Sequence, residues 1–159
     1  MPTRLYIQVS HTSRISVRPK MDLAQLYKRF PTRKSCIELL EQVSWKDGPV
    51  CPYCGSGCSS PMPAESRHHC NTCNTSYSVT TKTVLHRTRI DLQRWFMAIW
   101  LILGADGWIS ARELARRIHV HRDTACAIST RIRSTRADQR DLLLEIIETC
   151  AHHETEATL

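Results

Sequence analysis

Cys51-Pro-Tyr-Cys54 and Cys70-Asn-Thr-Cys73 are the residues of this chain whose types and spacing can do chemistry. Two residues between paired cysteines let both sulfurs meet one ion from a single tight turn. Gly55 and Asn74 directly follow the pairs, and these two residue types best tolerate the left-handed backbone in which such a turn ends. Two facing knuckles supply four thiolates in a closed tetrahedral shell. No position is left for water, so the expected cofactor is one structural Zn2+ and not a catalytic metal. Two disulfides or a rubredoxin-like iron site are the alternatives. Cys58, His68 and His69 lie nearby as spare donors, but the two pairs complete the shell without them.

A second constellation is basic. Residues 110–140 hold eight arginines against Glu113, Asp123 and Asp138, whereas residues 141–159 hold five acids and no Lys or Arg. The whole chain carries a formal charge of +7, which suits an anionic partner, nucleic acid above all. Within the basic block, Ser110-Ala111-Arg112-Glu113 reads as a capping box, with Ser110 as cap and Glu113 reaching back. Leu114, Ala115 and Ile118 then face inward. Residues 118–121 read as a turn, and Ala125, Ile128 and Ile132 form the inner face of the next helix. This is a helix-turn-helix pattern, although the turn lacks a glycine and His121 is a weak cap. In such a motif the second helix enters the major groove. His121, Arg122, Asp123 and Thr124 are then the base readers, and Arg112, Arg116, Arg117, Arg131 and Arg133 the phosphate contacts. An ordinary helical hairpin with a solvated arginine face is the competing reading.

These groups need positioning. Leu23, Leu26, Tyr27 and Phe30 fall at helical spacing before Pro31. Thr32 can cap a second helix with Cys36, Ile37, Leu39, Leu40 and Val43 as its stripe, ended by Gly48-Pro49. Residues 50–80 are too poor in aliphatics to fold without a metal or disulfides. Arg67 to His69 and Thr75 to Thr80 read as two short ribbon strands. Asp91 to Leu103 reads as a fully buried helix stopped by Gly104, the third member of a three-helix bundle. Residues 137–150 form a last helix with Leu142, Leu143, Ile146, Ile147 and Cys150 on one side. Cys36, Cys126 and Cys150 read as small buried hydrophobes.

The expected fold is mainly α with a small β zinc ribbon: two short N-terminal helices, the four-cysteine ribbon, a three-helix helix-turn-helix bundle and a C-terminal helix. The expected boundaries are 1–20 for a disordered basic extension (with Met21 an alternative start), 21–49, 50–90, 91–136, and 137–159 for the acidic helix and frayed tail. No apolar signal region follows Arg4, Arg14, Arg18 and Lys20, and the most apolar run, Trp95 to Leu103, is about half the length of a bilayer helix. A cytoplasmic, nucleoid-associated location with reduced thiols and no membrane partner is the expectation.

Several segments together resemble one bacterial family. They are Met21-Asp22-Leu23, Phe30-Pro31, Cys36, Trp45, Asp47 to Ser56, Thr80-Thr81, Thr83, His86-Arg87-Thr88-Arg89, Trp95-Phe96 and Ser110 to Arg133. The family is the zinc-ribbon N-terminal region of insertion-sequence transposases, and the resemblance covers roughly residues 21–136. It implies recognition of transposon ends, zinc ligation by Cys51, Cys54, Cys70 and Cys73, and DNA reading by residues 121–134. Three departures stand out. Lys82 stands where the family usually has glycine. His119 and His121 stand where it usually has glycine and serine. The chain also ends where the family's DDE-type nuclease begins, and the acids after Arg136 (Asp138, Asp141, Glu145, Glu148, Glu154 and Glu156) follow one another on one helix and its tail. No enzyme activity is therefore expected of this chain. The expected partner is double-stranded DNA, with a homodimer contact or a separate catalytic subunit possible through the C-terminal helix. A transcription regulator or a zinc-ribbon interaction adaptor is the alternative function.

Overall fold

The computed structural model describes residues 22–104 and 109–152. The basic extension, Met21 and the tail beyond His152 lie outside the described residues.

Two N-terminal helices form where capping chemistry starts them. Asp22 caps α1 (Leu23–Arg29) with Gln25 returning the bond, and Thr32 caps α2 (Arg33–Ser44) with Ser35 in the same role. All five residues expected on the α2 stripe are buried. In α1, Leu26 and Phe30 are buried, but Tyr27 is 54% exposed. Tyr27 stands one residue past Leu26, about 100° round the helix from the buried side, and faces solvent.

Three antiparallel strands follow in the order β1 (Ser59–Met62), β2 (Arg67–Cys70) and β3 (Thr75–Tyr77). The expectation was two strands. β1 carries Ser-Ser-Pro-Met, with no β-branched or aromatic residue to announce it, and it exists because β2 offers it a pairing edge from Ser59↔Cys70 to Met62↔Arg67. β3 ends at Tyr77 because Ser78 and Thr81 close a turn: the Thr81 amide donates to the Ser78 carbonyl, and the Ser78 amide to Thr81 Oγ1.

α3 (Leu92–Leu103) is the hub of the helical part. Leu92 and every residue from Trp95 to Leu101 are buried. It packs against α1, α2, α4 (Ala111–Ile118), α5 (Arg122–Arg133) and α6 (Ala137–His152). Gly104 caps it in ordinary right-handed backbone. One apolar core runs through all six helices, and a second, small core of Cys51, Cys70 and Tyr77 sits in the ribbon. Trp45 touches both.

The apolar side of α6 is used internally. Leu143, Ile146, Ile147 and Cys150 are buried in the helical core, which removes that face as a dimer or subunit surface. Leu144 is its one large apolar residue left exposed. Among the described residues no helix is long and apolar enough to cross a membrane.

Candidate metal centre and nucleic-acid interface

The four knuckle cysteines converge. Their Sγ atoms all lie within 4.8 Å of one another. Cys51 and Cys73 are 3.7 Å apart, and Cys54 and Cys70 are 3.5 Å apart. A disulfide needs about 2.05 Å, so the thiols are free. Sulfurs placed about 2.3 Å from a zinc ion in a tetrahedron are about 3.8 Å from one another, so the donor set fits zinc in both chemistry and spacing.

Local backbone builds this geometry. Gly55 has φ +74° and Asn74 φ +55°, so both knuckles end in the left-handed turn. The Gly55 amide donates to the Cys51 carbonyl and the Cys51 amide to the Ser56 carbonyl, both at 2.9 Å. Ser56 and Thr72 join the two knuckles through their hydroxyls at 2.8 Å.

Two of the thiols differ in how readily they ionise. The Cys73 amide draws the Cys70 thiol down to about 6; burial opposes this and the Thr72 amide adds to it. At Cys54 the Ser56 amide pulls downward, but burial and the thiols of Cys70, Cys73 and Cys51 outweigh it and push the group up to about 12. Cys70 gives up its proton easily and Cys54 resists. A divalent ion removes that resistance.

The spare donors go elsewhere. Cys58 is exposed. His69 pairs with Asn74 Oδ1 at 3.0 Å. His68 stacks on Tyr77 and meets Trp45 edge-on at 5.0 Å, with its Nε2 3.6 Å from Glu41 of α2. Trp45, His68 and Tyr77 thus fasten the ribbon to α2.

The basic block forms two helices joined by His119, Val120 and His121. Ser110 caps α4 by accepting from the Glu113 amide at 3.2 Å. Glu113 does not complete the box. Its carboxylate is held by Arg116 Nη2 at 2.8 Å and Arg117 Nε at 2.7 Å, and these bonds draw it down to about 2. His119 takes φ +53°, the left-handed cap that glycine usually fills, and Lys82 takes φ +60°. Both departures from the family's glycine pattern are therefore positions where the backbone itself favours glycine. His121 does cap α5: its ring nitrogen accepts from the Asp123 amide at 3.4 Å.

Leu114, Ala115, Ile118, Ala125, Ile128 and Ile132 are buried as expected, and Ser129 joins them. Cys126 is exposed, contrary to expectation: it stands one residue past Ala125, about 100° round the helix from the buried stripe. Arg112 and Arg122 are exposed and make no hydrogen bond or ion pair among the described residues. Asp123 is exposed and Thr124 half-buried. Arg133 donates to the Ile109 carbonyl at 3.4 Å. Arg131 turns inward, donating to the His86 carbonyl at 3.1 Å and lying over the Trp95 ring. It braces the segment between ribbon and α3, and so drops out of the contacts facing solvent.

Sequence reasoning missed Arg33, Arg67 and Arg87, which line one cavity. They are separated by long stretches of chain, so only the fold brings them together.

Residues 31–76 match the model of the transposase zinc-ribbon domain. The matched segment includes α2 as well as the ribbon, in keeping with the Trp45 junction. Over 96 residues the chain is 26% identical to an uncharacterized protein in transposable element ISH50 of Halobacterium salinarum, covering 58% of this chain and 32% of that relative. No solved structure matches the chain. The four-cysteine centre is thus that of a zinc ribbon of the kind found in mobile-element proteins.

Proposed function

We propose that this chain is a DNA-recognition module of a transposition system. Its α4–α5 pair acts as a helix-turn-helix on duplex DNA, and the ribbon, holding one structural zinc, fixes the path of the chain leading into α3. The observation that carries the reading is at the start of α5. His121, Arg122 and Asp123 are exposed there, and the Arg122 guanidinium has no partner among the described residues. That is the position from which a recognition helix meets base edges, where arginine pairs with guanine. Arg112 adds a second free guanidinium on α4, suited to a phosphate.

In this reading the described residues contribute recognition, and strand cleavage falls to a nuclease outside them. Asp138, Asp141, Glu145 and Glu148 follow one another along α6.

The test is selection of zinc-loaded protein against random genomic duplex fragments, with sequencing of the retained pool. Enrichment of a discrete motif, above all inverted repeats flanking a mobile element, supports end recognition. A motif at a promoter supports a transcription regulator. Retention with no motif, lost as salt rises, would leave only attraction to a basic surface.

A further inference from the structure

Between the ribbon, α2 and the segment leading into α3 lies a cavity of about 350 Å³. Arg33 of α2, Arg67 of β2 and Arg87 of the connecting segment line it, all three exposed to solvent, and no carboxylate is among its lining residues. Arg67 donates to the Ser76 carbonyl at 3.0 Å, which leaves most of its guanidinium free. Arg33 and Arg87 make no hydrogen bond or ion pair among the described residues. The hydroxyls around them are engaged: Ser78 with Thr80 and Thr81, and Thr88 with the Trp95 indole. At the lip stands Tyr53, 49% exposed, with the Lys82 ammonium 4.7 Å above its ring.

Three arginines line one cavity with no acid among its lining residues, so the cavity is positively charged and an anion would balance that charge. Guanidinium forks match the paired oxygens of a phosphate. The cavity is open and polar, so the group it takes stays attached to something outside it. We infer that this cavity seats a backbone phosphodiester of nucleic acid. The inference rests on the DNA-binding reading above and gives it a second contact, away from the base-reading helix. The two surfaces are mechanically tied. His86 lines the cavity, and its carbonyl holds Arg131 of α5. A duplex lying on α5 and reaching the cavity is thereby held at two fixed points.

The test compares R33Q/R87Q with wild type on one duplex across a potassium chloride series. Melting transition and zinc content are measured alongside to verify folding. A lost phosphate contact flattens the slope of log affinity against log salt by about 0.9 and costs roughly eightfold at 0.1 M salt. The double variant is expected to lose one to two such contacts with base preference unchanged. K28Q/K34Q, which removes the same charge from outside the cavity, is expected to keep the slope. Equal effects from both pairs would overturn the site, as would an unchanged slope in R33Q/R87Q. If R33Q/R87Q does not fold, R33K/R87K keeps the charge but loses the forks and is expected to bind more weakly; wild-type affinity in that variant would overturn the site. Wild-type protein that binds no duplex at all refutes the DNA reading instead. Inorganic phosphate is then titrated against the arginine Nε resonances: shifts at Arg33 and Arg87 in a protein indifferent to DNA would replace the backbone assignment with a free-phosphate site.

Discussion

Arg131 of α5 lies over Trp95 of α3, its guanidinium carbon 5.3 Å from the ring centroid. Trp95 is buried, and its indole N–H donates to Thr88 Oγ1 at 2.7 Å. The same guanidinium reaches the His86 carbonyl. One arginine thus ties the second helix of the basic pair to the hub helix and to the chain leaving the ribbon. Arg131→Ala removes a cation–π contact and a charged hydrogen bond, and is expected to cost about 2 kcal/mol in urea unfolding. Arg131→Lys keeps the charge but loses the fork, and should recover less than half of that. The salt slope of DNA binding should not move in Arg131→Ala. A flattened slope with unchanged stability would return Arg131 to the phosphate contacts.

Glu113 pairs with two solvent-exposed arginines, and its one negative charge offsets part of their two positive ones. Arg116 and Arg117 hold its carboxyl at about 2, below its ordinary 4.5. The direction is depression, so the pairing is fully present above pH 4.5 and fades only as pH falls through 2. Glu113→Gln is therefore expected to raise duplex affinity by roughly fivefold at 0.1 M salt, and by the same factor at every pH from 6 to 9. Arg117→Ala should have a small effect in the wild-type background and a larger one in Glu113→Gln. Arg122→Ala should instead cost base discrimination, about 1–3 kcal/mol at one position. Fluorescence anisotropy on specific and scrambled duplexes separates these outcomes; loss of affinity in Glu113→Gln would contradict the neutralising role.

His119 and Lys82 both hold left-handed backbone with a β-carbon. That conformation costs about 1–2 kcal/mol, of which glycine's extra unfolded-state freedom takes back part. His119→Gly is therefore expected to stabilise the protein by about 0.5–1 kcal/mol. Lys82→Gly should come out near zero, because the Lys82 ammonium also donates to the Pro52 carbonyl at 2.8 Å. Chemical unfolding midpoints decide. Destabilisation by His119→Gly would show that the imidazole makes a contact that outweighs the strain.

Much of this was legible in the chain because local chemistry dictated it. Paired cysteines with Gly55 and Asn74, the Thr32 and Ser110 caps, and the apolar spacing of α2 and α5 each determine their own surroundings. What stayed hidden depends on partners distant in sequence. β1 forms because β2 is beside it. Arg131 turns inward because a carbonyl and an indole from other elements wait there, and nothing around residue 131 announces them. The arginines of the cavity come from three elements. Trp45 is a single aromatic at the end of a helix, and its role emerges only when His68 and Tyr77 fold against it.

Two cores meeting at Trp45 imply two levels of dependence on metal. The ribbon core of Cys51, Cys70 and Tyr77 is too small to stand alone. Structural zinc in such sites contributes on the order of 10–16 kcal/mol of folding free energy. The helical core is built from all six helices and contains no metal ligand. Chelation at neutral pH is therefore expected to unfold the ribbon and spare α3. In hydrogen exchange, the amides of Cys70 and Tyr77 should lose protection, while those of Ile99 and Trp100 keep most of theirs. Cys51→Ser should reproduce this without chelator and retain no zinc. Collapse of α3 protection together with the ribbon would show that Trp45 couples the two cores into one cooperative unit. A Cys51→Ser protein that still holds one zinc would mean that Cys58 or His69 had replaced the missing thiolate.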